Sequence, residues 1–260
     1  MRDDDARAVE ERLWAGTAAT LVVPTYREAD AIAELVGRVA AVREAARLDL
    51  DLLLVDDDSR DGIEPLVGEL RQRWPWVRLL VRHGQRSLSG AVIEGLYRSR
   101  GDAVVVADAD GSHPPEVIPA MLAALAGGAD LALGSRYVTG GSIAPGWGAV
   151  RRITSLAGCA LARPITSVRD PLSGFFALRR RLISSDLRLA PVGFKIGLEL
   201  LVRLPVGRVV ELPIHFAPRR SGRSKLGPRQ QLLFLAQMAR LYLLVLQRRL
   251  RGRVRRDGGA

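Results

Sequence analysis

An α/β fold, with a mostly parallel sheet covered by helices, is the expectation from two observations. Short apolar runs alternate with amphipathic stretches over the first half of the chain, and the apolar runs end in polar, carboxylate-rich turns. Strands separated by helices form parallel pairs, and such sheets are buried on both faces. Residues 19–24 (ATLVVP) read as the first buried strand. Residues 29–47 read as a helix, with Ile32, Leu35, Val36, Val39 and Val42 at the spacing of one apolar face. Residues 50–55 (LDLLLV) are a second strand, 64–74 a second helix stopping before Pro75, 77–81 a third strand and 91–100 a third helix. Residues 103–107 (AVVVA) are a fourth strand. Pro114 and Pro115 open the next helix, where proline suits the first turn, and 129–133 (ADLAL) is a fifth strand. The second half is less regular. Residues 137–147, rich in Gly and Ser, read as a mobile loop, 150–161 and 196–204 as helices, and 175–178 and 208–214 as strands. A basic loop, 218–228, leads into a long C-terminal amphipathic helix.

The 260 residues carry 39 basic and 28 acidic side chains, a formal net charge of +11. Twelve of the bases and one acid, Asp257, fall in residues 218–260, so the body before them is neutral. A neutral body gives no support to nucleic-acid binding over a basic face, and no nucleic-acid partner is expected. One cysteine, Cys159, leaves no internal disulfide. Residues 1–5 (MRDDD) place acids where a secretory leader has bases. The longest apolar run, 232–246, is 15 residues interrupted by Gln237 and Arg240, short of the roughly 20 that a spanning helix needs. The body is expected in the cytoplasm.

In open α/β sheets ligands bind beyond the carboxyl ends of the strands. Pro24, Tyr26 and Glu28 follow the first strand, Asp56, Asp57, Asp58 and Asp61 the second, Asp108 and Asp110 the fourth, and Arg136 the fifth. Two hard oxygen ligands one residue apart suit Mg²⁺ or Mn²⁺, which also takes substrate phosphates and water. A second reading stays open: Asp108 and Asp110 begin a turn and cap the helix after Pro115. The cluster from Asp56 to Asp61 needs a compensating partner if buried, or is a solvated turn. Neither a G-x-G-x-x-G nor a G-K-[ST] phosphate loop is present. This favours metal-bridged diphosphate binding over a phosphate held at a helix N-terminus.

The segments VVPTYREAD (22–30), LLLVDDDSRDG (52–62), ADADGSHPPE (107–116) and LGSRYVTGG (133–141) resemble the inverting glycosyltransferases of GT-A (nucleotide-diphospho-sugar transferase) fold. GWGAVRRITS (146–155), DPLSGFFALRR (170–180), GFKIGLELLVR (193–203) and ELPIHFAPRRSGRSKLG (211–227) narrow the resemblance to the dolichyl-phosphate, or polyprenol-phosphate, mannosyltransferases. The resemblance implies mannose transfer from GDP-mannose to polyprenyl phosphate with inversion. It implies that Pro24, Tyr26, Glu28, Asp56, Asp57 and Asp108 bind the nucleotide sugar. Asp108, Asp110 and Ser112 stand at the metal positions. Arg136, Arg151, Ser155, Arg219 and Lys225 would hold the acceptor phosphate, and Asp110, Arg136 and Asp170 are the candidate catalytic set, with no chemical step implied for Asp170. The same fold transferring glucose from UDP-glucose is the alternative, and a non-catalytic membrane or nucleic-acid binder a remoter one. The chain departs from the family where Arg27 replaces the usual Asn, Asp58, Ser87 and Ser89 replace glycines, and Ser112 stands where some members have a glutamine.

Transfer onto a phosphomonoester needs no general base, because its second pKa is about 6 and it arrives ionised at neutral pH. His83, His113 and His215 are the only histidines, and His113 and His215 read as structural hydrogen-bonders. The only lysines, Lys195 and Lys225, fall among 37 arginines, both within matching segments, and a retained lysine suggests a need for a compact point charge. In the tail, Gln230, Gln237, Arg240 and Gln247 share one narrow stripe of an otherwise apolar helix, followed by the six arginines of RRLRGRVRR. Such a helix packs on protein or lies in a membrane interface. The expected division is an extension over 1–17, a catalytic unit over 18–227 and an apolar helix with a polybasic tail over 228–260, a membrane-surface element. The expected location is peripheral, at the inner face of the cell membrane, with or without a separate anchoring subunit.

Overall fold

The computed structural model describes residues 18–145, 147–184, 189, 195–218 and 227–257. The five apolar runs form β1 (Ala19–Thr25), β2 (Leu50–Asp56), β3 (Val77–Val81), β4 (Ala103–Val106) and β5 (Leu131–Ser135). Helices α1 (Ala29–Ala45), α2 (Ile63–Arg73), α3 (Leu88–Arg98) and α4 (Ile118–Ala126) connect them. Most boundaries shift by one or two residues from expectation, β5 by two at each end, and two larger shifts have local reasons. Helix α3 starts three residues early because the Ser87 hydroxyl caps it, accepting the Gly90 N–H at 3.1 Å. The Pro114–Pro115 step makes a 3-10 turn, Pro115–Val117, before α4.

The second half adds β6 (Ser142–Ile143), α5 (Ala149–Ala162), β7 (Phe176–Arg179), α6 (Ile196–Arg203), β8 (Val209–Pro213), β9 (His215–Phe216) and α7 (Pro228–Asp257). The main sheet runs β3-β2-β1-β4-β7-β5-β8. Strand β7 is antiparallel to both β4 and β5. The other pairs are parallel. The segment read as a mobile loop is pinned instead. Its β6 pairs with β9, and the Ser142 and Ala144 N–H groups donate to Ile214 and Phe216 carbonyls at 2.9 and 3.0 Å. Two-residue strands leave no periodicity to read.

Alternate residues of β1 and β2 feed two cores. Leu21, Val23, Leu52 and Leu54 pack with α1 on one face, and Val22, Leu53 and Val55 pack with α3 on the other. A Cβ at Gly95 of α3 would overlap Val22 and press on Val55. Overpacking costs about 1–3 kcal/mol, against a helix-propensity gain of up to ~1 kcal/mol. Gly95→Ala is therefore expected to lower unfolding free energy in urea by about 1 kcal/mol, and a stabilised variant would show that α3 can move off the sheet.

Because β1 lies between β2 and β4, the chain order reverses there. The crevice beyond the carboxyl ends of β1 and β4 is the place a ligand enters such a sheet.

Candidate active site

The turns after β1 and β2 are bolted together. The Arg27 N–H donates to Ser59 Oγ at 2.8 Å, and the Ala29 N–H to Asp61 Oδ2 at 3.1 Å. Arg27, Asp58 and Arg60 adopt positive φ, at 57, 54 and 52°. This explains the Asn and Gly usual at the first two positions, since those residues enter the left-handed region most easily. Asp56 is buried. Its Oδ1 accepts the hydroxyls of Thr25 (3.0 Å) and Ser59, and its Oδ2 the Ser59 N–H at 2.8 Å. These bonds make Asp56 a brace of the turn, and it is not among the described residues that line the cavity. Asp57 does line the cavity, with Pro24, Tyr26 and Glu28. Arg82 pairs with Asp57, and the Ser87 N–H donates to it at 2.8 Å. The guanidinium of Arg86 lies 4.7 Å from the Tyr26 ring centre.

Asp108 and Asp110 both face the cavity, while Ala109 between them is buried in the core. Ser112 sits behind Asp110, fully buried, and its N–H and hydroxyl both donate to Asp110 Oδ1, at 3.0 and 2.5 Å. Both bonds make Ser112 a support for Asp110. The Asp108 N–H donates to His113 Nδ1 at 2.9 Å, which places the imidazole proton on Nε2. His113 is buried, stacked on Phe175 at 5.2 Å, and burial pushes its pKa down. It is a neutral structural group, as expected. His215 Nδ1 likewise hydrogen-bonds Ser142 Oγ, at 2.7 Å.

The Asp108 side chain remains 31% exposed, with His113 Nδ1 3.9 Å from its Oδ2. Opposite it is Gly174, where a Cβ would stand 3.7 and 3.9 Å from its two oxygens, so the space over the carboxylate is kept clear. Among the described residues no group of three or more His, Cys, Asp or Glu is assembled to hold a metal ion. Two carboxylates with the remaining positions left to phosphate and water match how Mg²⁺ is commonly held, so the residues fit a cation that arrives with a diphosphate.

At the end of β5, Arg136 meets Asp170. Its backbone N–H and Nε donate to Asp170 Oδ2 at 2.9 and 2.7 Å, and its NH2 group to Oδ1 at 2.7 Å. Burial works against the Arg136 charge, and the bonds to Asp170 outweigh it, holding its pKa above the ordinary value. The rings of Tyr137, Trp147 and Phe216 surround the guanidinium at 5.1–5.4 Å, a cation–π cage. Asp170 is fully buried, with both oxygens on Arg136, so its geometry is that of an anchor rather than an acid or base.

Lys195, singled out in the sequence only as one of two retained lysines, lines the same cavity. Its Nζ donates to the Leu172 carbonyl at 2.8 Å. Burial, with repulsion from Arg136, pushes its pKa down to about 8. The charge is present below that pH and lost above it. We expect kcat/KM to fall as pH rises from 7.5 to 9.5, and Lys195→Met to be slower and to lack that descending limb. A flat wild-type profile over this range would contradict the assignment.

The far half of the cavity is built by α5 and α7. Arg151 and Ser155 line it, with Arg151 over the Trp147 ring at 4.7 Å and the Tyr137 hydroxyl donating to Ser155 at 2.9 Å. Leu161, Leu172, Leu233 and Phe234 make its apolar wall. Arg219 and Lys225 lie outside the described residues. The cavity is about 1560 Å³, against roughly 300–1,000 Å³ for a single small-ligand pocket, so it has room for two substrates.

Helix α7 turns part of its polar stripe inward. Gln237 donates to the Lys195 carbonyl at 3.1 Å and to Glu199 at 3.3 Å, and Arg240 is 3.8 Å from Glu199. Met238 and Leu241 share a core with Cys159, Ala162, Leu198 and Val202. Arg248, grouped with the tail charge by sequence, donates to the last carbonyls of α6, Val202 at 2.6 Å and Arg203 at 3.0 Å. Outward, Leu232, Leu235, Leu243, Leu246 and Leu250 are exposed, as are Val150, Ile153 and Leu156 of α5. Among the described residues no helix is long and apolar enough to cross a membrane.

A seven-stranded, mostly parallel sheet whose carboxylates face one large cavity is the architecture of a GT-A glycosyltransferase. Residues 20–187 match glycosyl transferase family 2. The chain is 38% identical over 226 residues to a dolichol-phosphate mannosyltransferase of Pyrococcus furiosus, covering 85% of this chain and 63% of that protein's length. It is 36% identical over 232 residues to that of Saccharomyces cerevisiae, covering 86% of each. In fold it resembles glucosyl-3-phosphoglycerate synthase from Mycobacterium tuberculosis, solved with Mn²⁺, UDP and glucosyl-3-phosphoglycerate, at TM-score 0.67 and 22% identity over 94% of this chain and 85% of that one. The chain belongs to glycosyl transferase family 2, within it to the dolichol-phosphate mannosyltransferases.

Proposed function

We propose that the protein transfers mannose from GDP-mannose to a polyprenyl phosphate, with inversion, using Mg²⁺ or Mn²⁺. The observation that carries this is the division of one cavity: carboxylates at the β1–β4 crevice, and cations with an apolar exit at α5 and α7. Pro24, Tyr26, Glu28 and Asp57 bind the nucleotide. Asp108 and Asp110 hold the cation, which when bound neutralises charge on the leaving diphosphate. The acceptor phosphate, ionised near neutral pH, is oriented by Arg136, Arg151, Ser155 and Lys195. Arg219 and Lys225, outside the described residues, belong to this acceptor set on the resemblance. Alignment and charge stabilisation then supply the rate without a protein base, consistent with a structural His113.

The exposed leucines of α7 and the apolar residues of α5 flank the exit toward the lipid. With the arginines beyond Arg248 they give the apolar and polybasic signals that stable peripheral binding needs. We place the enzyme at the inner face of the cell membrane, directly or through an anchoring subunit. Donor choice is tested by calorimetry with Mn²⁺ present. GDP is expected to bind at least tenfold more tightly than UDP, and the reverse order would favour UDP-glucose as donor.

A further inference from the structure

Arg136 is held by Asp170, and Asp170 is itself held. On β8, the Glu211 carboxylate accepts two consecutive backbone N–H groups, Arg169 at 2.8 Å and Asp170 at 3.0 Å, one on each oxygen. Glu211 pairs in register with Leu133 of β5, the strand that ends one residue before Arg136. The segment bearing Asp170 is thus tied to the same sheet edge that presents Arg136. The connection runs Glu211 carboxylate, Asp170 backbone, Asp170 carboxylate, Arg136 guanidinium, through three hydrogen bonds, with the Arg169 and Arg136 backbone N–H groups adding one each beside it. We propose that Glu211 is a positioning residue for the acceptor phosphate, fixing Asp170 so that the Arg136 guanidinium is delivered into the cavity in one orientation. This rests on the reading of Arg136 as an acceptor-phosphate ligand.

In the observed geometry each N–H uses a separate carboxylate oxygen. An amide of the same shape keeps one oxygen and turns an NH₂ group toward the second donor, so it cannot reproduce both bonds in place. Glu211 is partly exposed, so water can satisfy the N–H groups in its absence and the fold survives. What is lost is the fixed position of Asp170, and a displacement of about 1 Å in a positioning group can cost about 100-fold in rate.

The test combines steady-state kinetics of Glu211→Gln with a double-mutant cycle against Asp170→Asn. Glu211→Gln is expected to raise KM for polyprenyl phosphate about tenfold while GDP affinity with Mn²⁺ stays at the wild-type value. Glu211→Asp, which keeps the charge but shortens the reach, is expected to fall between. In the Asp170→Asn background, Glu211→Gln is expected to have little further effect, because the path it acts through is already cut. An unchanged acceptor KM in Glu211→Gln, additive losses in the cycle, or an equal loss of GDP affinity each overturns the proposal. Arg136→Met separates the premise from the relay. Wild-type acceptor kinetics in that variant overturns the role of Arg136, whereas an impaired Arg136→Met with a normal Glu211→Gln overturns the relay alone.

Discussion

Asp110→Asn is expected to reduce mannosyl transfer by about 10³-fold, the scale of losing a principal electrostatic contact to a leaving group. Asp110 lines the cavity and is braced by Ser112. The isosteric amide keeps the shape and removes the charge. Calorimetry is expected to show the loss of Mn²⁺-dependent tightening of GDP binding, with thermal stability near that of the wild type. Ser112→Ala is expected to be milder, because it loosens Asp110 without removing a carboxylate from the site. If Asp110→Asn turned over normally, the cation and diphosphate would have to be placed elsewhere.

Arg136→Met is expected to lose both stability and activity. The pair is almost completely buried, with Asp170 at 0% and Arg136 at 8% exposure. Removing one partner leaves an uncompensated charge, at a cost of about 3–5 kcal/mol. For a chain of this size that corresponds to roughly 10 °C in melting temperature. Arg136→Met with Asp170→Asn is expected to regain most of the stability, since the stranded charge is gone, and to remain at least about 100-fold slow. Recovery of activity along with stability would mean that the pair only holds the fold. Both quantities are read on the same preparations, by thermal denaturation and by initial rates.

The strands up to β5 were legible because each is a short apolar run closed by a polar turn, and the rim acids because they follow those runs. Which acid faces the ligand was not. Asp56 and Asp57 are adjacent, and only the tertiary partners of each, Thr25 and Ser59 for one and Arg82 for the other, sort the turn brace from the cavity wall. Asp170 could be matched to a motif but given no step, since its partner Arg136 is 34 residues away. Ser112 matched a motif position near the metal, and the bracing of Asp110 by its hydroxyl and N–H is visible only in the folded chain. Lys195 left a faint signal in the scarcity of lysine. The orientation of α7 left none. Gln237 and Arg240 face inward because Glu199 is buried on α6 to receive them, and that pairing exists only after folding. The exposed apolar face of α5 was hidden in the same way, in a helix whose environment the sequence does not state.

The most direct measurement incubates the protein with polyprenyl phosphate, Mg²⁺ and either GDP-mannose or UDP-glucose, and follows sugar into the lipid phase. Mannose from GDP-mannose is expected to appear there in β-linkage to the lipid phosphate, and glucose from UDP-glucose is not. Glucolipid from UDP-glucose, with no mannolipid from GDP-mannose, would contradict the donor and the name of the reaction together.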